Sequence, residues 1–343
     1  MNRRDFLYTT LSGSAALCIG CGTTRITPRL GSMMTVRGAI APDELGTTLP
    51  HEHVAVDFAP AAEQATSGYN REEAFEVALP YLNGLRAAGC RTLVDATPAY
   101  LGRDPILLRA LSEETGLHIL TNTGYYGARD DVNVPEHAFT DSIDDLAAIW
   151  IGEWENGIGD TGIRPGFIKI GVDSGPLSEM DMALIQAAAR THRASGLTIA
   201  SHTASATPAF EQLEVLRAEG VHASSWIWVH ANAEEDLSAH LEAARQGAWV
   251  EFDGVGPNSI DRSVELVMNM RSNLLLSRVL VSQDAGWYSV GEPRGGDFRG
   301  YIMLFETFLP ALREAGLSDE EIDLLTIDNP ADAFRIRIRQ YHA

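Results

Sequence analysis

Several short segments of this chain end in side chains that bind metals or move protons. His51 and His53 flank Glu52 at the end of an apolar run covering Thr48–Asp57. If that run is a strand, alternation turns residues 51 and 53 to one side and residue 52 to the other. Two imidazoles on one side of a strand end can hold one metal. Ser201-His202-Thr203, Val229-His230-Ala231 and Gln283-Asp284-Ala285 close three further apolar runs. A single histidine at a strand end is more often a hydrogen-bonded structural residue than a ligand. Together, though, these segments offer four imidazoles and a carboxylate, a nitrogen and oxygen donor set that suits zinc, manganese, iron or cobalt.

Lysine usage adds a second signal. Of the 26 Lys and Arg residues, one is lysine: Lys169, within Gly166-Phe167-Ile168-Lys169-Ile170-Gly171. A lysine inside an apolar strand is costly unless it is paired or neutralised. One reading is an ion pair with a buried carboxylate, which arginine would serve equally well. The other is a carbamate. Only a primary amine adds CO₂, and the product behaves as a carboxylate able to bridge two metals. A chain that uses arginine everywhere else favours the second reading.

The elements that must position these groups alternate along the chain. Short β-branched runs near Thr48–Asp57, Arg91–Pro98, His118–Tyr126, Gly166–Asp173, Thr198–Ala204, Trp226–Asn232, Ala248–Val255 and Arg278–Gly286 read as eight strands. Helical periodicity fills Glu72–Ala88, Asp104–Thr115, Glu179–Ser195, Pro208–Glu219 and Glu234–Gln246, each followed by a glycine suited to a helix C-terminus. Ser318-Asp319-Glu320-Glu321 has the pattern of a capping box. Strands alternating with helices imply a parallel sheet. No GxGxxG follows the first strand, and no Pro/Ser-rich linker divides the chain. The expected fold is a single-domain α/β (β/α)₈ TIM barrel over residues 35–343, with its chemistry at the C-terminal ends of the strands. The irregular stretch Trp287–Arg299 is a candidate lid or substrate loop.

The order of these residues, HxH on the first strand, Lys on the fourth, His on the fifth and sixth and Asp on the eighth, resembles the phosphotriesterase family of the amidohydrolase superfamily. So do Leu49-Pro50-His51-Glu52-His53, Ile168-Lys169-Ile170-Gly171, Thr123-Gly124-Tyr125-Tyr126 and Asp328-Asn329-Pro330. The resemblance covers nearly all of residues 35–335. It implies two divalent metal ions, zinc first with Mn, Co or Fe as alternatives. One would be held by His51, His53 and Asp284 and the other by His202 and His230, with CO₂-carboxylated Lys169 and a hydroxide bridging them. Asp284 would take the hydroxide's proton and pass it to the leaving group, and Tyr126 would approach the substrate carbonyl as in lactonase-like members. Asp253 resembles an acid that supports the ligands. Tyr125, Tyr126, Asp253, Trp287 and Tyr288 are the expected substrate pocket.

There are departures from the family pattern. The sixth-strand motif reads His230-Ala231-Asn232-Ala233-Glu234, where many members carry small residues and an Asp after the His. Gly254 follows Asp253 where phosphotriesterases proper have a His and lactonases often an Arg. Position 126 is Tyr rather than Trp. These departures point away from organophosphates and weaken acyl-homoserine lactones, while the apolar, aromatic rim of Tyr125, Tyr126, Trp287 and Tyr288 favours a lactone or carboxylic ester with an apolar or sugar-like body as the small-molecule substrate. Phosphoester or amide hydrolysis at the same site, or a non-catalytic exported binding protein, are the alternatives.

The formal net charge of −21 argues against nucleic acid or an anionic membrane as partner. Residues 1–34 read as a leader. Arg3-Arg4-Asp5-Phe6-Leu7 and a short apolar run resemble a twin-arginine export signal, which implies a periplasmic location. Cys18-Ile19-Gly20-Cys21 resembles a lipoprotein box, with Cys21 the lipid anchor. A homodimer is the expected assembly. Cys90 precedes an apolar run and reads as an inert buried thiol.

Overall fold

The computed structural model describes residues 31–64 and 68–342; the expected twin-arginine segment and Cys21 lie outside them. A hairpin of β1 (Met33–Thr35) and β2 (Gly38–Ile40) opens the described chain. The sequence reading does not anticipate it, and the leader boundary expected at residue 34 falls within it. Met33 is fully buried in the apolar cluster inside the barrel, so the folded body begins before residue 35.

The strands that follow are β3 (Thr48–Val56), β4 (Thr92–Asp95), β5 (His118–Leu120), β6 (Asn122–Thr123), β7 (Phe167–Gly171), β8 (Ile199–His202), β9 (Trp226–Val229), β10 (Trp249–Phe252), β11 (Val279–Val281) and β12 (Gly286–Ser289). All their pairings are parallel, in one ladder from β6 to β11 and another in the order β12-β3-β4-β5. The protein is therefore a single-domain (β/α)₈ barrel. Two of its eight strands are split, and the two ladders join at those splits.

Both splits correct the expectation of unbroken strands at His118–Tyr126 and Arg278–Gly286. In the eighth strand the reason is local: Asp284 adopts φ +49°, a left-handed conformation incompatible with a continuing strand. The first strand bridges the gap. The Asp284 amide donates to the His51 carbonyl at 3.2 Å, and the His53 amide donates to that of Ala285 at 2.9 Å.

Side chains of one strand phase fill the barrel: Val94, Leu120, Phe167, Ala200, Trp249 and Leu280 share one apolar cluster. The opposite phase packs against surrounding helices, including α1 (Arg71–Ala87), α2 (Pro105–Thr115), α3 (Ile143–Asn156), α4 (Glu179–Ser195), α5 (Ala206–Ala218), α6 (Leu237–Gln246) and α7 (Ile260–Ser272). The expected helices are present within three residues at each end. α3 and α7 are additions to them. Gly116, Gly196 and Gly247 end their helices with positive φ. Ser318 and Glu321 form the expected capping box. Asn329 of the Asp-Asn-Pro motif donates to the Leu276 and Val279 carbonyls, which ties the C-terminal helices to the start of the eighth strand. Cys90 is buried, as expected. Among the described residues no helix is long and apolar enough to cross a membrane.

One glycine decides how close two strands approach. Gly124 has φ +126°, and a Cβ there would lie 2.1 Å from the Lys169 carbonyl oxygen. Gly124→Ala is expected to destabilise the fold by about 2–4 kcal/mol, by overpacking and an unfavourable φ together. Calorimetry should show a midpoint lowered by several degrees. An unchanged midpoint would mean that the chain after β6 can move away from β7 at no cost.

Candidate metal centre

The C-terminal rim of the barrel brings His51, His53, Lys169, His202, His230 and Asp284 around one cavity of about 80 Å³. Alternation holds for the first strand. His51 and His53 both face inward, with ring centroids 5.3 Å apart, while Glu52 turns toward the eighth strand. His230 lies 4.9 Å from His51 and 4.4 Å from His202, centroid to centroid. The Asp284 Oδ1 atom sits 3.1 Å from His53 Nε2 and 3.7 Å from His51 Nε2.

Each imidazole is tied at Nδ1, which leaves Nε2 for the centre of the cluster. His51 Nδ1 meets Glu251 at 3.2 Å and Asp253 at 3.3 Å. His53 Nδ1 meets Thr97 Oγ1 at 2.7 Å, and His230 Nδ1 meets Asp253 Oδ1 at 2.8 Å. His202 Nδ1 meets the Tyr126 hydroxyl at 3.2 Å. Outer hydrogen bonds of this kind fix the ring and tautomer of a metal-binding histidine. Asp253 touches two rings at Nδ1, so it orients both rather than competing for their Nε2 atoms.

The donor set passes a direct test of fit to a cation. His51 Nε2 and Asp284 Oδ1 are buried and have no hydrogen-bond partner, yet they converge with His53. Buried polar atoms without partners are rare and costly. A divalent ion satisfies both at once. Burial, reinforced by the Lys169 charge, pushes the His51 imidazole down to about 4. Burial, with His230 and Lys169, also holds His202 well below its ordinary value. Both rings are therefore neutral and able to coordinate near pH 7. Burial works against the Asp284 carboxylate, but the His53 imidazole 3.1 Å from its Oδ1 atom outweighs that and holds it below the usual range.

Lys169 is buried, and burial depresses its ammonium below the ordinary lysine value. Among the described residues no carboxylate reaches ion-pairing distance of it; Glu251, Asp253 and Asp284 act on it from farther away. The ion-pair reading of this lysine thus lacks its partner.

Three expected pocket residues are corrected. The cavity wall holds Tyr126 and Trp287 but not Tyr125, Tyr288 or Asp253. Tyr125 faces outward against Trp150 and contacts His137 at 3.3 Å. Tyr288 packs on Tyr69 and donates to Glu73 on α1 at 2.6 Å. In each adjacent pair, 125/126 and 287/288, alternation lets only one side chain enter. Asp253 lies beneath the imidazoles, fully buried. Phe58, Leu101 and Val56 complete the wall instead. The Trp287–Arg299 stretch begins as β12 and is pinned at its far end, where Gly286 and Arg299 exchange two backbone hydrogen bonds.

Glu251 and Glu52 are buried acids to which the sequence analysis assigns no role. Glu251 shares the inward phase of Trp249 and Asp253, and that alternation is the signal that could have found it. Glu52 clamps the split eighth strand: Ser282 Oγ, the Gln283 amide and the Ala285 amide all donate to it, at 2.8, 3.0 and 2.7 Å. Burial pushes its carboxyl up to about 8, but three converging donors are what a carboxylate accepts.

Two departures in the sequence explain each other. Asn232 Oδ1 accepts from the Asp253 and Gly254 amides, and a Cβ on residue 254 would meet Asn232 Nδ2 at 2.5 Å. With Asn at 232, a larger side chain at 254 would have to push the Asn232 amide out of these bonds. Glu234 accepts from the Ala206 amide at 2.7 Å and so anchors the start of α5.

A sequence model of the phosphotriesterase family matches residues 31–334. The phosphotriesterase homology protein of Escherichia coli K12 is 32% identical over 297 residues, 85% of this chain and 99% of that protein. The aryldialkylphosphatase of Saccharolobus solfataricus is 25% identical over 309 residues, 87% of this chain and 98% of the other. A crystal structure of a mutant Deinococcus radiodurans PTE-like lactonase superposes with a TM-score of 0.80 at 29% identity, covering 88% of this chain and 99% of that one.

Proposed function

This chain belongs to the phosphotriesterase family, and from that premise we propose that it is a binuclear metal-dependent hydrolase of lactones or carboxylic esters. The observation that carries the reading is the cluster of imidazoles bonded at Nδ1 around the unpartnered His51 Nε2 and Asp284 Oδ1 atoms. His51, His53 and Asp284 would hold one ion and His202 and His230 the other, with Lys169 between them as a carbamate. Two divalent ions, zinc first, would supply Lewis acidity at the scissile carbonyl and lower the pKa of water. The depressed Lys169 amine supports carbamate formation, because the neutral amine is the form that attacks CO₂ and then loses a proton.

The chain's own groups account for the rest. Asp284 stands at the centre with its Oδ1 atom buried and its carboxyl held below the usual range, so it can accept the proton of attacking water and return it to the leaving oxygen. Burial raises the Tyr126 phenol above its ordinary value, so the hydroxyl stays protonated and can donate to the substrate carbonyl oxygen. Phe58, Leu101 and Trp287 exclude bulk water and favour an apolar substrate body. Tyr126 and Gly254 stand where phosphotriesterases proper carry Trp and His, which counts against phosphotriesters. The leader, with Arg3-Arg4 and Cys21, supports export to the periplasm and lipid attachment.

A panel of lactones, carboxylic esters, amides and phosphotriesters on zinc-loaded protein tests the reading. Lactones or carboxylic esters are expected to lead in kcat/KM by about tenfold or more. Phosphotriesters or amides in the lead would move the assignment to those bonds. Tight ligand binding without turnover across the panel would make the protein a binding protein.

A further inference from the structure

The cavity mouth carries positive charge that the hydrolytic machinery does not use. Phe58 and Trp287 form its outer wall, with ring centroids 5.4 Å apart. The Arg129 guanidinium lies 5.1 Å from the Phe58 ring centre, and that of Arg299 lies 5.2 Å from the Trp287 ring centre. The result is a row, Arg129–Phe58–Trp287–Arg299, assembled from loops after the first, third and eighth strands. Both arginines are exposed.

Their surroundings hold them in place without neutralising them. The Arg129 amide donates to Asp173, which also accepts from the Asp130 amide, so this rim acid is engaged by backbone. The Arg129 guanidinium contacts the Asn133 side-chain oxygen at 3.2 Å and the Phe58 carbonyl at 3.4 Å. Arg299 is fixed by its backbone pairing with Gly286 and donates to the Asp284 carbonyl oxygen. Among the described residues neither arginine is paired with a carboxylate, whereas Arg71, Arg103, Arg190 and Arg271 are. Arg129 also acts on the cavity itself, where its charge favours the ionised form of Tyr126 while burial, Asp284 and Asp173 oppose it.

A chain of formal charge −21 repels an approaching anion unless cations stand locally at the opening. Guanidinium is the group suited to a two-pronged grip on a carboxylate. We propose that Arg129 and Arg299 form an anion subsite at the mouth of the cavity, selecting a substrate that carries a free carboxylate on the side remote from the scissile ester. This rests on the ester-hydrolase reading above and narrows it to anionic esters.

The test uses two chromogenic esters of similar size on zinc-loaded protein: mono(4-nitrophenyl) glutarate, which carries the carboxylate, and 4-nitrophenyl pentanoate, which does not. Wild-type protein is expected to prefer the anionic ester in kcat/KM. Arg129→Gln and Arg299→Gln should each lower the anionic-to-neutral ratio about tenfold, chiefly through KM, and high salt should lower it in wild type. The ratio is an internal control, since a variant damaged in folding or metal content loses both esters alike. A ratio unchanged in both variants would overturn the subsite. If wild type hydrolyses neither ester, the lactone and ester reading is judged separately, on the panel above. Calorimetric binding of glutarate to wild type and to both variants then decides the subsite, and equal affinities would overturn it.

Discussion

Lys169→Ala is expected to lose metal and turnover together, with kcat/KM falling on the order of 10³-fold or more. Lys169 is the only lysine of the chain, lies on β7 with its side chain inside the barrel, and has no carboxylate within ion-pairing reach among the described residues. Burial lowers its ammonium to about 8, which increases the fraction of neutral amine that carbamate formation requires. Lys169→Met keeps most of the volume, and Lys169→Arg keeps the cation; neither can carry a carbamate, so both should fail as the alanine variant does. Elemental analysis of metal per chain, alongside circular dichroism to show that the barrel persists, reads the result. A folded alanine variant that kept two metals per chain would remove the bridging role, and an active arginine variant would show that charge alone suffices.

The second large effect is expected at Asp284. Asp284→Asn should lower kcat by about 10²- to 10⁴-fold, the range for losing a positioned proton acceptor. Asparagine is the informative replacement because residue 284 has φ +49°, a conformation asparagine tolerates and alanine resists. The fold should survive. The backbone there is held by the His51 carbonyl and by the Glu52 clamp on Gln283 and Ala285, not by the Asp284 carboxylate. A thermal midpoint close to wild type with collapsed turnover is the expected pair of observations. Turnover within tenfold of wild type at equal metal content would assign the proton transfer to another group.

Both effects follow from features that differ in how far the sequence reveals them. Strand periodicity and parallel topology put every strand's C-terminal end on one rim, so His51, His53, His202, His230 and Asp284 could be grouped before any coordinates. The same periodicity, applied more strictly, would have turned Tyr125 and Tyr288 away from the cavity, and it would have found Glu251 inside the barrel from its phase with Asp253. Other features follow no local rule. The hairpin Met33–Ile40 is three residues per strand, too short for alternation to stand out. The split in the eighth strand coincides with positive φ at Asp284, Gly286 and Trp287, and of these only Gly286 is a residue type that signals such a conformation.

The candidate ligating side chains, the strands that carry them and the singular status of Lys169 were legible in the sequence, because these depend on residue type and on periods of two and 3.6 residues. Only the tertiary structure decided which atom of each imidazole faces the centre, since Asp253, Glu251, Thr97 and Tyr126 reach those rings from other strands. It also decided that Asn232 closes the space beside Gly254, that Glu52 holds the break at Asp284 across more than 200 residues, and that two arginines flank the mouth. Those contacts exist because the barrel closes, and closure brings together segments whose separation along the chain carries no record of their proximity.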